Sequence, residues 1–366
     1  MPMKAVQLTG HGDMDQLAYR DDVPIPEPGR GEVRIKVHAC GMNNTDVWVR
    51  KGAYGTSTDA NATSTWQSGE STLVFPRIQG TDIVGHIDAV GDDVDDARMG
   101  ERIMVNMSLY NRPEGDDSLA DIDYIGHGRD GGYAEYTVVP SANAHATDAA
   151  ITDAELATFC CAYLTGEQLL DRAHVAGGER IFVTGASGGV GSGLIQLARA
   201  RGAIPYALTS SGKEDEILAI GAEATVLRDE EGNIVDKVHE ATNNEPIDVV
   251  ADLVGGPIFN DLLRLLRPEG RYTSSGAIAG PVVELDLRTM YLKQLELNGA
   301  SQGTRGAFQR VLGHIESGRI RPLLARTYKL SEFKTAQQAF MDKNHIGNLV
   351  IVPDSLWDEY GAPHAE

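Results

Sequence analysis

Cysteine is scarce in this chain: Cys40, Cys160 and Cys161 are the only three in 366 residues. So few exclude a disulfide framework and suit a reducing compartment. No apolar run approaches the roughly eighteen residues that a membrane-spanning helix needs. The opening "MPMKAVQLTGHGDMDQL" lacks the charged-then-apolar layout of a secretion signal. Basic residues are short as well, with 32 Lys and Arg against 53 Asp and Glu and a formal net charge of −21. Nucleic acid and anionic membranes reward a basic surface, so neither is expected as a partner. A cytoplasmic protein acting on a small-molecule substrate is the expectation. Lysine is the rarer cation, 9 against 23 arginines. Many carboxylates with few lysines suit a halophilic protein, hydrated in brine where screening removes self-repulsion. An ordinary acidic protein is the alternative.

What is present points to two cores. Hydrophobic residues make up 42% of a chain too long for one comfortable core. "KAVQLT" (4–9), "EVRIKVHA" (32–39), "DIVGHIDAV" (82–90), 101–106 and 133–139 read as strands, so residues 1–148 are mostly β. Near 150 the period changes. "TDAELATFCCAYLTGEQLLDRA" opens with a Thr152–Glu155 capping box and predicts one helix. From there strands and helices alternate, which predicts a parallel sheet with helices on both faces. Residues 55–72, rich in Ser, Thr and Ala around Trp66, read as a long surface loop. Its Asn61-Ala62-Thr63 sequon is a chance match in a cytoplasmic chain.

The strongest chemical motif is "RIFVTGASGGVGSGLIQLARARGA" (180–203). An apolar strand runs into Gly185, Ala186, Ser187, Gly188, Gly189, Val190 and Gly191, then an amphipathic helix. Such a turn lets backbone N–H groups approach a pyrophosphate. The alternative is a tight strand–helix packing turn. The end of the next strand distinguishes the dinucleotides. NAD sites keep an acid there, whereas this chain reads Thr209, Ser210, Ser211, Gly212 and Lys213. Hydroxyls and a lysine match the 2′-phosphate of NADP; a neutral strand end with a solvated lysine is the alternative.

These features together resemble the medium-chain dehydrogenase/reductase superfamily. The resemblance implies a GroES-like catalytic domain over 1–148 and a Rossmann NADP-binding domain over 149–304. It also implies a C-terminal return to the catalytic domain over 305–366. "GTDIVGHIDAVGDDV" (80–94) is similar to the family's Gly-His-Glu strand and "YLTGEQLL" (163–170) to its domain-joining helix. Zinc members hold the catalytic metal with Cys, His and Cys. Those positions fall here on Asn43, on Thr81 or His86, and on Cys161, and the four-cysteine structural lobe is missing. The loop itself, with Gly41-Met42-Asn43, Asp46, Arg50, Gly52 and Tyr54, resembles the zinc-free quinone oxidoreductase branch.

That branch implies hydride transfer from NADPH to a quinone or an α,β-unsaturated carbonyl without metal. Asn43 and Tyr54 would then donate to the substrate oxygen; for Asn43 a bond to the nicotinamide ribose or to its own loop is the other reading. Asn44 is expected to face solvent or a backbone group. Thr165, Gly276 and Ala277 match positions around the nicotinamide, or are a plain helix surface and a strand-end turn. Asp252 reads as a structural strand end. "LKQLELNGAS" (292–301) is similar to the strand through which relatives form homodimers. Two other readings stand beside this one. The first is a zinc alcohol dehydrogenase with a rearranged set of Cys40, Asp82, His86 and Cys161. The second is a nucleotide-binding relative without catalysis.

Overall fold

Apolar–polar alternation over 32–41 folds as the strand Glu32–Gly41, with Val33, Ile35 and Val37 buried on one face. In the computed structural model, which describes residues 2–54, 73–110, 113, 118, 122–228 and 233–361, this strand organises the first of two units. The 55–72 stretch, with Trp66 and the Asn61 sequon, lies outside the described residues. The first unit is Met1–Cys161 with Pro322–Glu366, the second Ala162–Arg321.

In the first unit, Asp82–Val90 lies antiparallel along one edge of Glu32–Gly41. Tyr136–Pro140 pairs with the opening half of its other edge, Glu32 to Lys36. Asn348–Val352, from the far end of the chain, pairs with the closing half, Val350 opposite Gly41 and Ile351 opposite Cys40. A smaller sheet joins Leu17–Pro24, Pro2–Leu8 and Arg77–Ile78.

The helix expected from 152 onward is in fact two, Asp153–Leu156 and Cys160–Arg172. The capping box is present, Glu155 N donating to Thr152 Oγ1 at 3.2 Å and Thr152 N to Glu155 Oε2 at 2.8 Å. The break follows from tertiary partners for the carbonyls between the pieces. Thr158 O accepts from Asn348 Nδ2 at 3.0 Å, and Ala157 O lies so close to Gly41 that a Cβ there would overlap it. Periodicity alone does not register such partners.

The second unit is the expected doubly wound parallel sheet. Its six strands run Ala224–Leu227, Ile204–Thr209, Arg180–Val183, Ile247–Asp252, Leu266–Ser274 and Glu296–Gly299, all parallel. This is the 3-2-1-4-5-6 order of dinucleotide-binding sheets, reversing beside Arg180–Val183. Phe182, Leu208, Val250, Leu262 and Val238 fill its core. A fully buried side chain of this size contributes about 1.5–3 kcal/mol. Asp252 ties strand ends together, accepting from Thr184 Oγ1 at 2.5 Å and Tyr272 Oη at 2.7 Å. No helix among the described residues is long and apolar enough to cross a membrane.

Candidate functional site

The stretch after Glu32–Gly41 is a helix, Asn44–Arg50, with Asn43 as its N-cap. Asn43 N donates to Asp46 Oδ2 at 2.8 Å, so the acid three residues on closes the turn. Asp46 also accepts from Tyr133 Oη at 2.6 Å. Burial pushes the Asp46 carboxyl up to about 6, opposed by these bonds. Asn44 is exposed, its Oδ1 accepting from Lys343 Nζ at 2.9 Å.

Asn43 Nδ2 reaches Thr81 Oγ1 at 3.3 Å, and Thr81 Oγ1 donates to Asp82 Oδ1 at 3.0 Å. Cys161 N donates to the same Asp82 oxygen at 2.8 Å. Thr81, not His86, is therefore the partner that the strand Asp82–Val90 brings to Asn43. Asp82 is wholly buried, and burial drives its carboxyl up to about 7. Tyr54 is half-buried with its ring 5.6 Å from Trp48. Burial pushes its hydroxyl up to about 12 against a hydrogen bond with Thr45, so it holds its proton at neutral pH. Thr45 Oγ1 lies 3.1 Å from Tyr124 Oη. This Thr45–Tyr124 support was invisible in the sequence because 79 residues separate the pair.

Zinc wants three S, N or O protein ligands. The three family positions offer an amide, a hydroxyl engaged on both sides, and the Cys161 thiol. Burial first, then the Asp82 charge, raise that thiol well above its ordinary range. These residues do not fit the metal. The rearranged set does not converge either. Among the described residues, the one group of three His, Cys, Asp or Glu side chains near enough to share an ion is His38, His86 and Asp153. There Asp153 Oδ2 is 2.7 Å from His38 Nδ1 and Oδ1 accepts from Arg102 Nε at 2.6 Å. An added cation would sit beside that guanidinium, so the group reads as an ion-pair cluster.

In the second unit, Gly185 has φ 61°, and a Cβ at Gly191 would overlap the Gly185 carbonyl. The helix Gly189–Ala200 starts at an exposed Gly188, leaving its first N–H groups open to an anion. Ala186 is buried beneath this turn, with Ser187 and Val190 half-buried at its mouth. Thr209 Oγ1 is buried without a partner among the described residues, and Ser210, Ser211 and Lys213 follow it, partly or fully exposed. These residues fit a dinucleotide. The structure adds Arg228: its N donates to Thr209 O at 2.8 Å, placing a second, exposed cation beside the strand end. Parallel register was the available signal, since the residue after the third strand lies beside the end of the second. Gly276 packs on the Leu253 carbonyl where no Cβ fits, Ala277 follows it, and Thr165 is buried on Cys160–Arg172.

Residues 29–149 match the alcohol dehydrogenase GroES-like domain and 189–317 the zinc-binding dehydrogenase family. A crystal structure from Sinorhizobium meliloti 1021, provisionally described as an alcohol dehydrogenase, is 64% identical. It superposes with a TM-score of 0.93 over 96% of this chain and 97% of that one. The chain is 26% identical to a quinone oxidoreductase of Rattus norvegicus, over 96% of this chain and 98% of the relative. It is 28% identical to an acryloyl-coenzyme A reductase of Metallosphaera sedula, over 95% and 99%.

Proposed function

Because this chain belongs to the medium-chain dehydrogenase/reductase superfamily of oxidoreductases, we propose that it reduces a quinone or an α,β-unsaturated carbonyl with NADPH and without a metal. The observation that carries the reading is the Asn43–Thr81 hydrogen bond at 3.3 Å, where zinc members would hold their metal. The names of the quinone oxidoreductase and acryloyl-coenzyme A reductase relatives support it.

A bound NADPH supplies the hydride. The chain's own part is to stabilise the negative charge that reduction leaves on the substrate oxygen. An enolate or hydroquinone anion takes its proton from water, so hydrogen-bond donors suffice. Tyr54 is a protonated donor. Asn43 holds a long bond to a neutral hydroxyl, and an oxyanion is the stronger acceptor for that N–H. Ala186, Ser187, Gly188, Gly189, Val190 and Gly191 take the pyrophosphate at the helix N-terminus. Ser210, Ser211 and Lys213, with Arg228 beside them, take the 2′-phosphate; Thr165, Gly276 and Ala277 face the nicotinamide end. The protein works as a cytoplasmic homodimer.

Asn43→Ala tests the reading. Removing one oxyanion donor costs about 10²–10³ in rate, so even a shared role lowers turnover with a quinone or enone roughly tenfold. NADPH affinity stays within a small factor if the amide serves the substrate. Full turnover in the variant contradicts the reading. The name of the Sinorhizobium meliloti relative favours a second reading, alcohol oxidation, and the match to the zinc-binding dehydrogenase family adds the metal to it; metal analysis separates the two.

A further inference from the structure

Arg50 is among the largest fully buried side chains of the described residues, only 1% exposed. Arginine is seldom buried so deeply without a carboxylate partner. Among the described residues no carboxylate bonds to this one, and its guanidinium is directed at neutral groups instead. Nε donates to Gln337 Oε1 at 2.9 Å, Nη1 donates to Gly12 O at 2.7 Å, and Nη2 lies 3.7 Å from Met341 Sδ. Burial lowers its pKa from the ordinary arginine value, opposed only by the charges of Asp13 and Asp15. A buried charge of this kind is retained in some folds because it fixes one arrangement of the chain.

What Arg50 fixes is the helix Asn44–Arg50. Seven residues do not hold themselves as a helix in water. Gly12 N donates back to Arg50 O at 2.8 Å, and His11 Nδ1 lies 2.8 Å from Val49 O, so residues 11 and 12 close its carboxyl end. Gln337 and Met341, one turn apart, both belong to the helix Phe333–Asp342. The amino end is tied to that same helix. Tyr133 Oη donates to Asp46 Oδ2 at 2.6 Å, and the Tyr133 ring lies 4.6 Å from that of Phe333. The short helix is thus braced at both ends against one longer helix. Asn43 caps its amino end. Past its carboxyl end, Ala53 N donates to Trp48 O at 2.8 Å and leads directly into Tyr54.

We infer that Arg50 is a positioning residue that sets where Asn43 and Tyr54 meet the substrate oxygen. The inference rests on the proposed function above. Donors to an oxyanion count only at the right place, and a misplacement of about 1 Å can cost roughly 10²-fold in rate. Arg50 acts through the helix and not on the reacting atoms.

The test follows turnover of a quinone or enone at saturating NADPH in wild type, Arg50→Met, Asn43→Ala and the double variant. Methionine keeps an unbranched buried stem and removes all three guanidinium contacts. Turnover falls about tenfold or more in Arg50→Met, while NADPH affinity stays within a small factor. In the Asn43→Ala background the same substitution costs at least about threefold less, because one of the two donors that it positions is already gone. Equal fold losses in both backgrounds, or full turnover in a folded Arg50→Met protein, overturn the inference and leave the proposed reaction standing. If Arg50→Met does not fold, Gln337→Met takes its place and is judged by the same comparison. Gln337 Nε2 has no partner among the described residues, so that variant loses only the bond to Arg50. A wild type without turnover on any quinone or enone overturns the reaction and the inference together.

Discussion

Asn43 has two duties that the sequence could express only as one letter. As N-cap it receives Asp46, and through its amide it reaches Thr81. An acid three residues after Asn43 suits a capping box, but that duty shows only once the short helix it caps is known. The contact with Thr81 was not legible, because it depends on how two strands register. The same holds for His86, which the Gly-His dipeptide suggested as a ligand and which the structure places beside His38, ring centroids 4.7 Å apart. A charge-assisted bond to phosphate is worth about 1.5–3 kcal/mol. Lys213→Ala should therefore raise the Kd for NADPH about tenfold or more and leave NADH nearly unchanged. Equal losses for both cofactors would remove the 2′-phosphate assignment.

At the scale of elements, the sheet of the second unit was the most legible part. Its apolar strands, Gly turns and helices repeat a single pattern, and each local preference agrees with the global order. The break between Asp153–Leu156 and Cys160–Arg172 was hidden because its cause, Asn348, lies 190 residues from Thr158. The short helix Asn44–Arg50 was hidden by its length, seven residues being too few to show a period. The last strand, Glu296–Gly299, has no neighbour on its outer side in the six-stranded sheet. Near it in sequence, Leu287, Tyr291, Leu292 and Leu297 are exposed. An edge strand beside exposed apolar groups invites pairing. Sedimentation should give twice the 39.3 kDa of one chain, and Leu292→Glu with Leu297→Glu should give the single-chain mass. A monomeric wild type would contradict the homodimer.

Over the whole molecule, charge carries the remaining information. With a formal charge of −21, self-repulsion opposes the compact state at low salt, and screening relieves it. Many arginines are already engaged: Arg34 meets Glu27 and Asp88, and Arg201 meets Glu167 and Asp171. The unpaired excess of acids is what salt must screen. The melting temperature should rise between about 0.1 and about 3 M potassium chloride, where the Debye length shrinks to a few ångströms. A flat or falling curve would leave an ordinary acidic protein.

In the proposed reaction, hydrogen bonds from this chain replace a metal at Asn43. Elemental analysis of purified protein that is active with NADPH and a quinone tests it most directly, followed by the same assay after a chelator. With an amide and a hydroxyl at two of three ligand positions, zinc should be well below about one per chain and the chelator should leave turnover unchanged. Zinc near one per chain, with activity lost on its removal, would contradict a metal-free reaction.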